Sequence, residues 1–320
     1  MQPDYVFIVG LPRTGTKLMM NIVENCQEKQ CFITPENFFL GRFLKRGVRH
    51  QLKNFGDLNQ DENIKQLVAA MYRQKFYGQY WDDLASGKLP VDKETMMKAL
   101  LASDRSEQAI YSTLLQVHAP IANSDLMNII LGDKSGPHLY YVPTLLKWFP
   151  HAKVIHTLRD PRAVMASEHK KLLLKQERRI MKAQEAGRSG EVIQLKLFKP
   201  ILSLMIVLYI TIAWLYAARL DAQFKKRYPN NYYLSKFEDL VSDPENSVKQ
   251  VCQFLGISFH PTMLEPPKID SSYTSSSSTS NNDTGFDTQT LNRWRSYLKP
   301  WMSSWLILFG KRYLRNFGYL

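Results

Sequence analysis

Residues 5–17 read Tyr-Val-Phe-Ile-Val-Gly-Leu-Pro-Arg-Thr-Gly-Thr-Lys. The opening is a short continuous apolar run closed by Gly10, the pattern of a parallel strand buried on both faces. From Lys17 to Cys26 the apolar residues Leu18, Ile22 and Val23 return at helical spacing. Strand, glycine loop and helix follow in that order, which aims loop N–H groups and the positive helix end at one anion. Gly10 and Gly15 have the spacing of the nucleoside-triphosphatase loop GxxxxGK[ST]. Thr16, however, stands at its lysine position and Lys17 at its hydroxyl position. A P-loop kinase using ATP and magnesium, the alternative enzyme, would lack both groups in register.

The same grammar returns twice. The run AKVIHTL, residues 152–158, ends at Arg159, and Asp160-Pro161 supplies a helix cap and a first-turn proline for the segment that follows. YYLSKF at 232–237 precedes Asp243-Pro244-Glu245, a further helix start, and that helix is expected to stop at Gly256. Three strand-to-helix units imply an α/β fold with a central parallel sheet flanked by helices. Glu238 and Asp239, read as strand neighbours, would point to opposite faces and are given structural roles. Residues 41–130 are polar, carry aromatic clusters such as Tyr77 to Trp81, and read as a helical insertion. The serine-rich stretch at 271–284 has too little apolar surface to fold by itself and reads as a flexible loop.

With 320 residues, 44% of them hydrophobic, the chain can bury a sizeable core. Its net charge of +13 favours anionic partners without choosing among them. Nine basic side chains lie in residues 170–199 against Glu177, Glu185 and Glu191, which reads as a solvated helical face or a surface for an anionic acceptor or membrane. The three cysteines, Cys26, Cys31 and Cys252, have neither metal-ligand nor disulfide-framework spacing and are expected as buried thiols. No signal peptide is visible, so a cytoplasmic location is the expectation.

The loop from Gly10 to Thr16 meets, residue for residue, the pattern Gly-x-Pro-(Arg or Lys)-(Ser or Thr)-Gly-Thr. It resembles the 5′-phosphosulfate loop of the sulfotransferases that use 3′-phosphoadenosine 5′-phosphosulfate (PAPS). FPHAKVIHTLRDPRAVMASEH, residues 149–169, looks like the family's 3′-phosphate strand and helix, which implies that Arg159 and Ser167 hold that phosphate. KFEDLVSDPENSVKQVCQFLGI at 236–257 is similar to a third family segment, with Phe237 where tyrosine is usual. Gly285 and Arg293-Trp294-Arg295 resemble the stretch that covers the nucleotide, which puts Arg293 and Trp294 among the expected nucleotide-binding residues. The resemblance runs from residue 5 to about 300, and residues 41–125, which match no motif, are where acceptor specificity is expected.

That resemblance implies a P-loop-like three-layer fold, a single domain over 1–320, PAPS as co-substrate and no metal. It implies in-line transfer of a sulfuryl group to a hydroxyl, with Arg13 meeting the charge on the leaving group. The amides of Thr14, Gly15, Thr16 and Lys17 bind the 5′ side, and Lys134 in LGDKSGP sits on the sulfonate. Glu36, His118 and His138 are candidates for the general base. Glu36 is favoured because the glutamate-using branch carries its base just after the first helix. A non-enzymatic module that binds a nucleotide or glycan is the other alternative, and none of the damage it would leave at Arg13, Arg159 or Ser167 is seen. The acceptor is a hydroxyl-bearing carbohydrate, lipid or small molecule, without nucleic acid as a partner.

Ile201 to Ala218 is eighteen residues without a charge, long enough to pass as a membrane span. A crossing there would put Arg159 and Ser167 on the opposite side from Arg293, so the segment is expected to be a buried core helix ending near Trp214. Peripheral membrane contact stays open.

Overall fold

The computed structural model describes residues 4–119, 128–267 and 285–320; the serine-rich stretch at 271–284 lies outside them. The chain starts with β1 (Asp4–Gly10), α1 (Thr16–Glu24) and β2 (Gln30–Thr34). A two-residue pair, β3 (Gly41–Arg42) and β4 (Lys45–Arg46), leads into helices α2 (Val48–Gln51), α3 (Asp61–Met71), α4 (Gln79–Ala85), α5 (Lys93–Ala102) and α6 (Glu107–Gln116). Then come β5 (Ile129–Asp133), α7 (Val142–Trp148) and β6 (Lys153–Leu158). A long helical hairpin, α8 (Pro161–Glu185) and α9 (Ser189–Arg227), precedes β7 (Tyr232–Lys236), α10 (Phe237–Ser242) and α11 (Pro244–Leu255). The chain ends in α12 (Trp294–Tyr297) and α13 (Pro300–Asn316).

Five strands form one sheet in the order β2-β5-β1-β6-β7, and every pairing is parallel. Burial on both faces follows from the sequence of β1: Tyr5, Phe7 and Val9 enter one apolar cluster, and Val6 and Ile8 enter the other. The first cluster takes in α3 to α7 and the inner face of α9; the second takes in α1, α10 and α11. The Asp160 side chain accepts from the Arg162 amide at 2.8 Å with Pro161 at the first position of α8. Gly256 closes α11 in the left-handed conformation, φ 71°.

Three expectations are corrected. The 41–130 segment contains the β3–β4 pair and gives its last two residues to β5, and the last α-helix among its described residues ends at Gln116. Glu238 and Asp239 lie in the first turn of α10 rather than on a strand, because β7 ends at Lys236. The apolar run at 201–218 is the middle of α9, which continues to Arg227, and only one side of it is buried. Val207, Ile210, Trp214 and Ala217 face the fold, while Ile201, Met205 and Ile212 remain exposed. By length and composition α9 could cross a membrane, yet Trp214 near its middle donates its indole N–H to the Arg159 carbonyl at 2.9 Å.

A buried polar chain ties β6 to β7 and α9. His156 Nδ1 lies 2.5 Å from the Tyr232 hydroxyl, which donates to Asp221 Oδ1 at 3.1 Å. Burial, helped by the Lys225 charge, lowers the His156 imidazole from 6.5 to about 3. The unfolded chain takes up this proton below pH 6.5 while the folded one does not until about pH 3. Stability is therefore present above that window and falls as pH drops through it, by at most about 1.4 kcal/mol per pH unit for this one group. His156→Gln should flatten the acid limb of urea unfolding measured between about pH 7 and pH 4.5; an unchanged slope would place the loss elsewhere.

Candidate active site

Four neighbouring strands end at one edge of the sheet, and each hands on one charged side chain. β2 leads to Glu36, β5 to Lys134, β1 to Arg13 and β6 to Arg159. The connections leaving β1 and β5 run in opposite directions along the sheet, the arrangement that opens a crevice at the carboxyl ends of strands.

The loop after β1 is shaped by close approach. Gly10 has φ 150°, and a Cβ there would lie 2.5 Å from the Thr157 carbonyl oxygen. Gly15 has φ 97°, and a Cβ would meet the Phe237 ring at 2.7 Å. The Thr14 hydroxyl is buried, donating to the Leu11 carbonyl at 2.7 Å and lying 2.9 Å from Thr157 Oγ1. Its side chain thus braces the loop, and its amide is what it can offer a ligand. The first-turn amides of Thr16 and Lys17 lack intrahelical acceptors, as at any helix start.

Arg13 takes the left-handed conformation, φ 67°, which costs about 1 kcal/mol or more for a side-chain-bearing residue. Its Nε donates to Ser167 Oγ at 2.8 Å and stands 4.0 Å from Glu168 Oε1. Arg159 donates to the Arg13 carbonyl at 3.3 Å and to the Thr290 carbonyl at 2.8 Å, with its guanidinium 4.0 Å over the Phe237 ring. Arg13, Arg159 and Ser167, distant in sequence, therefore meet beside the loop.

The Arg159 corner is held from below. Glu238 Oε1 accepts from the Asp160 amide and Oε2 from the Tyr319 hydroxyl, both at 2.9 Å, while Arg162 donates to the Tyr319 carbonyl at 2.5 Å. Burial raises the Glu238 carboxyl above its ordinary value, with these donors pulling the other way.

The other half of the crevice is built around β5. Lys134 is buried, and its Nζ lies 3.1 Å from Glu36 Oε1, whose side chain is 40% exposed. A Cβ on Gly136 would lie 2.5 Å from the Gly10 carbonyl oxygen, so the turn after Lys134 rests directly on the phosphate-type loop. Ser135 Oγ donates to Asp133 Oδ1 at 2.8 Å and accepts from the amides of Asn37 and Phe38 at 3.1 and 3.3 Å. Tyr111 donates to Asp133 Oδ2 at 2.9 Å; burial first and then Asp133 push its hydroxyl well up. Gly78 lies against the Glu36 carbonyl, which accepts from the Tyr80 amide at 3.2 Å.

Of the three candidates for a base, His138 is buried and His118 half-buried. His138 accepts from the Leu40 amide at Nε2, 3.2 Å, and faces Asp133 Oδ2 with Nδ1 at 2.8 Å. His118 Nε2 lies 2.8 Å from the Tyr80 hydroxyl, and burial lowers its imidazole to about 4. Glu36 alone of the three lies at the mouth of the crevice with a cation beside it.

The sequence profile of the sulfotransferase family matches residues 3–197, and that of the sulfotransferase domain matches residues 135–306. The chain belongs to the sulfotransferase family. A relative from Mycobacterium bovis, omega-hydroxy-beta-dihydromenaquinone-9 sulfotransferase, is 31% identical over 127 residues, which is 39% of this chain and 28% of that enzyme. The fold is shared with the sulfotransferase domain of the Synechococcus PCC 7002 olefin synthase, with a TM-score of 0.50 and 18% identity over 96% of this chain and 95% of that one. It is shared also with the sulfotransferase domain from the curacin biosynthetic pathway, with a TM-score of 0.51 and 17% identity over 99% and 98%.

In this sulfotransferase the other expected site residues lie on α1 and at the start of α12. Lys17 is exposed on the second residue of α1. Arg293 pairs with Asp287 at 2.6 Å. Trp294 is buried in the cluster between α8, α9 and α13, with the Arg162 guanidinium 4.6 Å from its ring center. Sequence reasoning missed Asp133 and Tyr111, which fix the turn carrying Lys134, and the part Phe237 plays under both Gly15 and Arg159. For Asp133 a signal existed: a carboxylate at the end of an apolar run, two residues before a serine.

Proposed function

We propose that this sulfotransferase moves a sulfuryl group from PAPS to the hydroxyl of a lipid or small-molecule acceptor. The observation that carries the reading is the convergence of Arg13, Arg159 and Ser167 beside a loop whose glycines exclude side chains. Two guanidiniums and a hydroxyl suit a nucleotide phosphorylated at two places. When bound, PAPS supplies the activated sulfuryl group and a 3′-phosphate that ATP lacks.

In this reading Arg159 and Ser167 take the 3′-phosphate, and the hydrogen bond between Arg13 and Ser167 gives way to the nucleotide. Arg13, with the amides of Thr14 to Lys17, binds the 5′ side and meets the charge that gathers on the leaving oxygen. Glu36 accepts the proton of the acceptor hydroxyl. Lys134 holds the Glu36 carboxylate in place until the sulfuryl group offers the ammonium a second anion. The 41–130 segment shapes the acceptor side: Tyr77 stacks on Phe38, two residues from Glu36, with ring centroids 5.8 Å apart. The proposed acceptor class is consistent with the hydroxylated menaquinone derivative in the name of the Mycobacterium bovis relative.

Adenosine 3′,5′-bisphosphate at about a hundred times its Kd should raise the melting temperature by about 5 °C or more, and ATP with magnesium should do so far less. Equal shifts would remove the 3′-phosphate site and favour the kinase alternative.

A further inference from the structure

The hairpin of α8 and α9 is an arm. Among residues 171–206 the buried side chains are Gln176, Ala183 and Val192, and Gln176 donates across the hairpin to the Leu195 carbonyl at 2.5 Å. Beyond Lys170 the two helices thus pack largely on each other. Along α9, Ile193, Leu197, Ile201, Met205, Leu208 and Ile212 are all between 38% and 68% exposed. Their spacing of three and four residues places them on one face, a stripe of about 30 Å at 1.5 Å per residue. A soluble surface rarely leaves so long an apolar patch open without a use.

The arm is also the most cationic part of the chain, with nine Lys and Arg against three Glu over 170–199. Lys171, Lys175, Arg178, Arg179 and Lys182 are exposed on α8, beside the apolar helix. A long apolar stripe joined to a polybasic face matches an anionic lipid surface, where each cation near the headgroups adds to the attraction. A second copy of the chain would bring the same excess of positive charge against itself.

The stripe leads into the site. Tyr216, one turn beyond Ile212, stacks on Tyr140 with centroids 5.4 Å apart; Phe43 lies edge-on to Tyr140 at 5.6 Å and to Tyr209 at 6.4 Å. Tyr140 belongs to the turn that follows Lys134, and Glu168, on α8 with its carboxylate 4.0 Å from Arg13 Nε, lies close enough to Tyr209 to add to burial and Tyr140 in raising its hydroxyl. Aromatic faces therefore run from the exposed stripe to the crevice.

We propose that the α8–α9 arm seats on the surface of an anionic lipid bilayer with the α9 stripe in the headgroup–acyl boundary, so that the crevice opens toward an amphiphilic alcohol held in that membrane. The acceptor part of this statement rests on the sulfuryl-transfer reading; the docking part does not.

The test is flotation of the full chain with vesicles. Binding should be at least about tenfold stronger to phosphatidylcholine mixed with phosphatidylglycerol than to phosphatidylcholine alone, and salt should release it. Leu197→Ser, Ile201→Ser and Ile212→Ser together should weaken it by about tenfold or more, and Arg178→Glu with Arg179→Glu should do the same. The thermal shift with adenosine 3′,5′-bisphosphate, read in the same variants, should stay as in the parent chain, which separates loss of docking from loss of fold or of the nucleotide site. No flotation with the anionic vesicles, equal flotation of the triple-serine variant, or a vesicle-free dimer that this variant dissolves would overturn the proposal.

Discussion

Glu36→Gln is expected to lower turnover at saturating acceptor by about 10²–10⁴-fold while leaving product-nucleotide affinity nearly unchanged. Glutamine keeps the shape and can still hydrogen-bond, but it cannot accept the acceptor's proton. The expectation rests on placement: Glu36 follows β2, its backbone is fixed by Gly78 and by the Tyr80 amide, and its carboxylate stands 3.1 Å from Lys134. The comparison variant is His118→Ala. Its imidazole is half-buried against Tyr80 and lowered to about 4 by burial, so its removal should touch stability more than turnover. If turnover were near normal in Glu36→Gln and collapsed in His118→Ala, the base would be the histidine.

Arg159→Ala is expected to weaken binding of adenosine 3′,5′-bisphosphate by about 30- to 1000-fold, the equivalent of roughly 2–4 kcal/mol for removing one member of a desolvated charge pair. Acceptor KM should hardly move. Arg159→Lys should recover only part of the loss, because a lysine cannot reproduce the planar fork that reaches both the Arg13 and the Thr290 carbonyls and lies over Phe237. Isothermal titration of the three proteins decides it. An affinity within twofold of the parent in the alanine variant would mean that the guanidinium braces the loop and does not touch the nucleotide.

The parts of the fold that could be read in advance are those where local chemistry and tertiary role coincide. The apolar run of β1, the Asp160-Pro161 start of α8 and the Gly256 stop of α11 each state a backbone requirement in the residues themselves. β2 and β5 were not legible. Gln30–Thr34 is short and polar at both ends, and Ile129–Asp133 is broken by Gly132, where a Cβ would lie 2.0 Å from the Val6 carbonyl oxygen. That glycine is explained only by the neighbouring strand. The same holds in the site. The residues of the β1 loop and of Arg159-Asp160 could be named from their order in the chain. The network of Asp133, Ser135, Tyr111 and His138 joins positions whose proximity no local pattern encodes. α9 misled for the opposite reason: hydropathy counts apolar residues without saying which of them the fold leaves uncovered.

The clasp at Tyr319 sets a timetable for making the site. Its hydroxyl and carbonyl hold Glu238 and Arg162, and through Glu238 they steady the backbone just after Arg159. Arg162 and Tyr319 are 157 residues apart. At about 5–20 residues per second, the ribosome takes on the order of ten seconds or more to cover that distance. Throughout that interval the nascent chain already contains both arginines of the crevice but not the residue that, through Glu238, steadies the backbone after the second of them. The sheet can form its central strands during synthesis, whereas a fully braced Arg159 corner must wait for the segment that carries Tyr319 to emerge. A ribosome stalled before residue 319 would therefore carry a nascent chain with an ordered sheet and a loosely held Arg159.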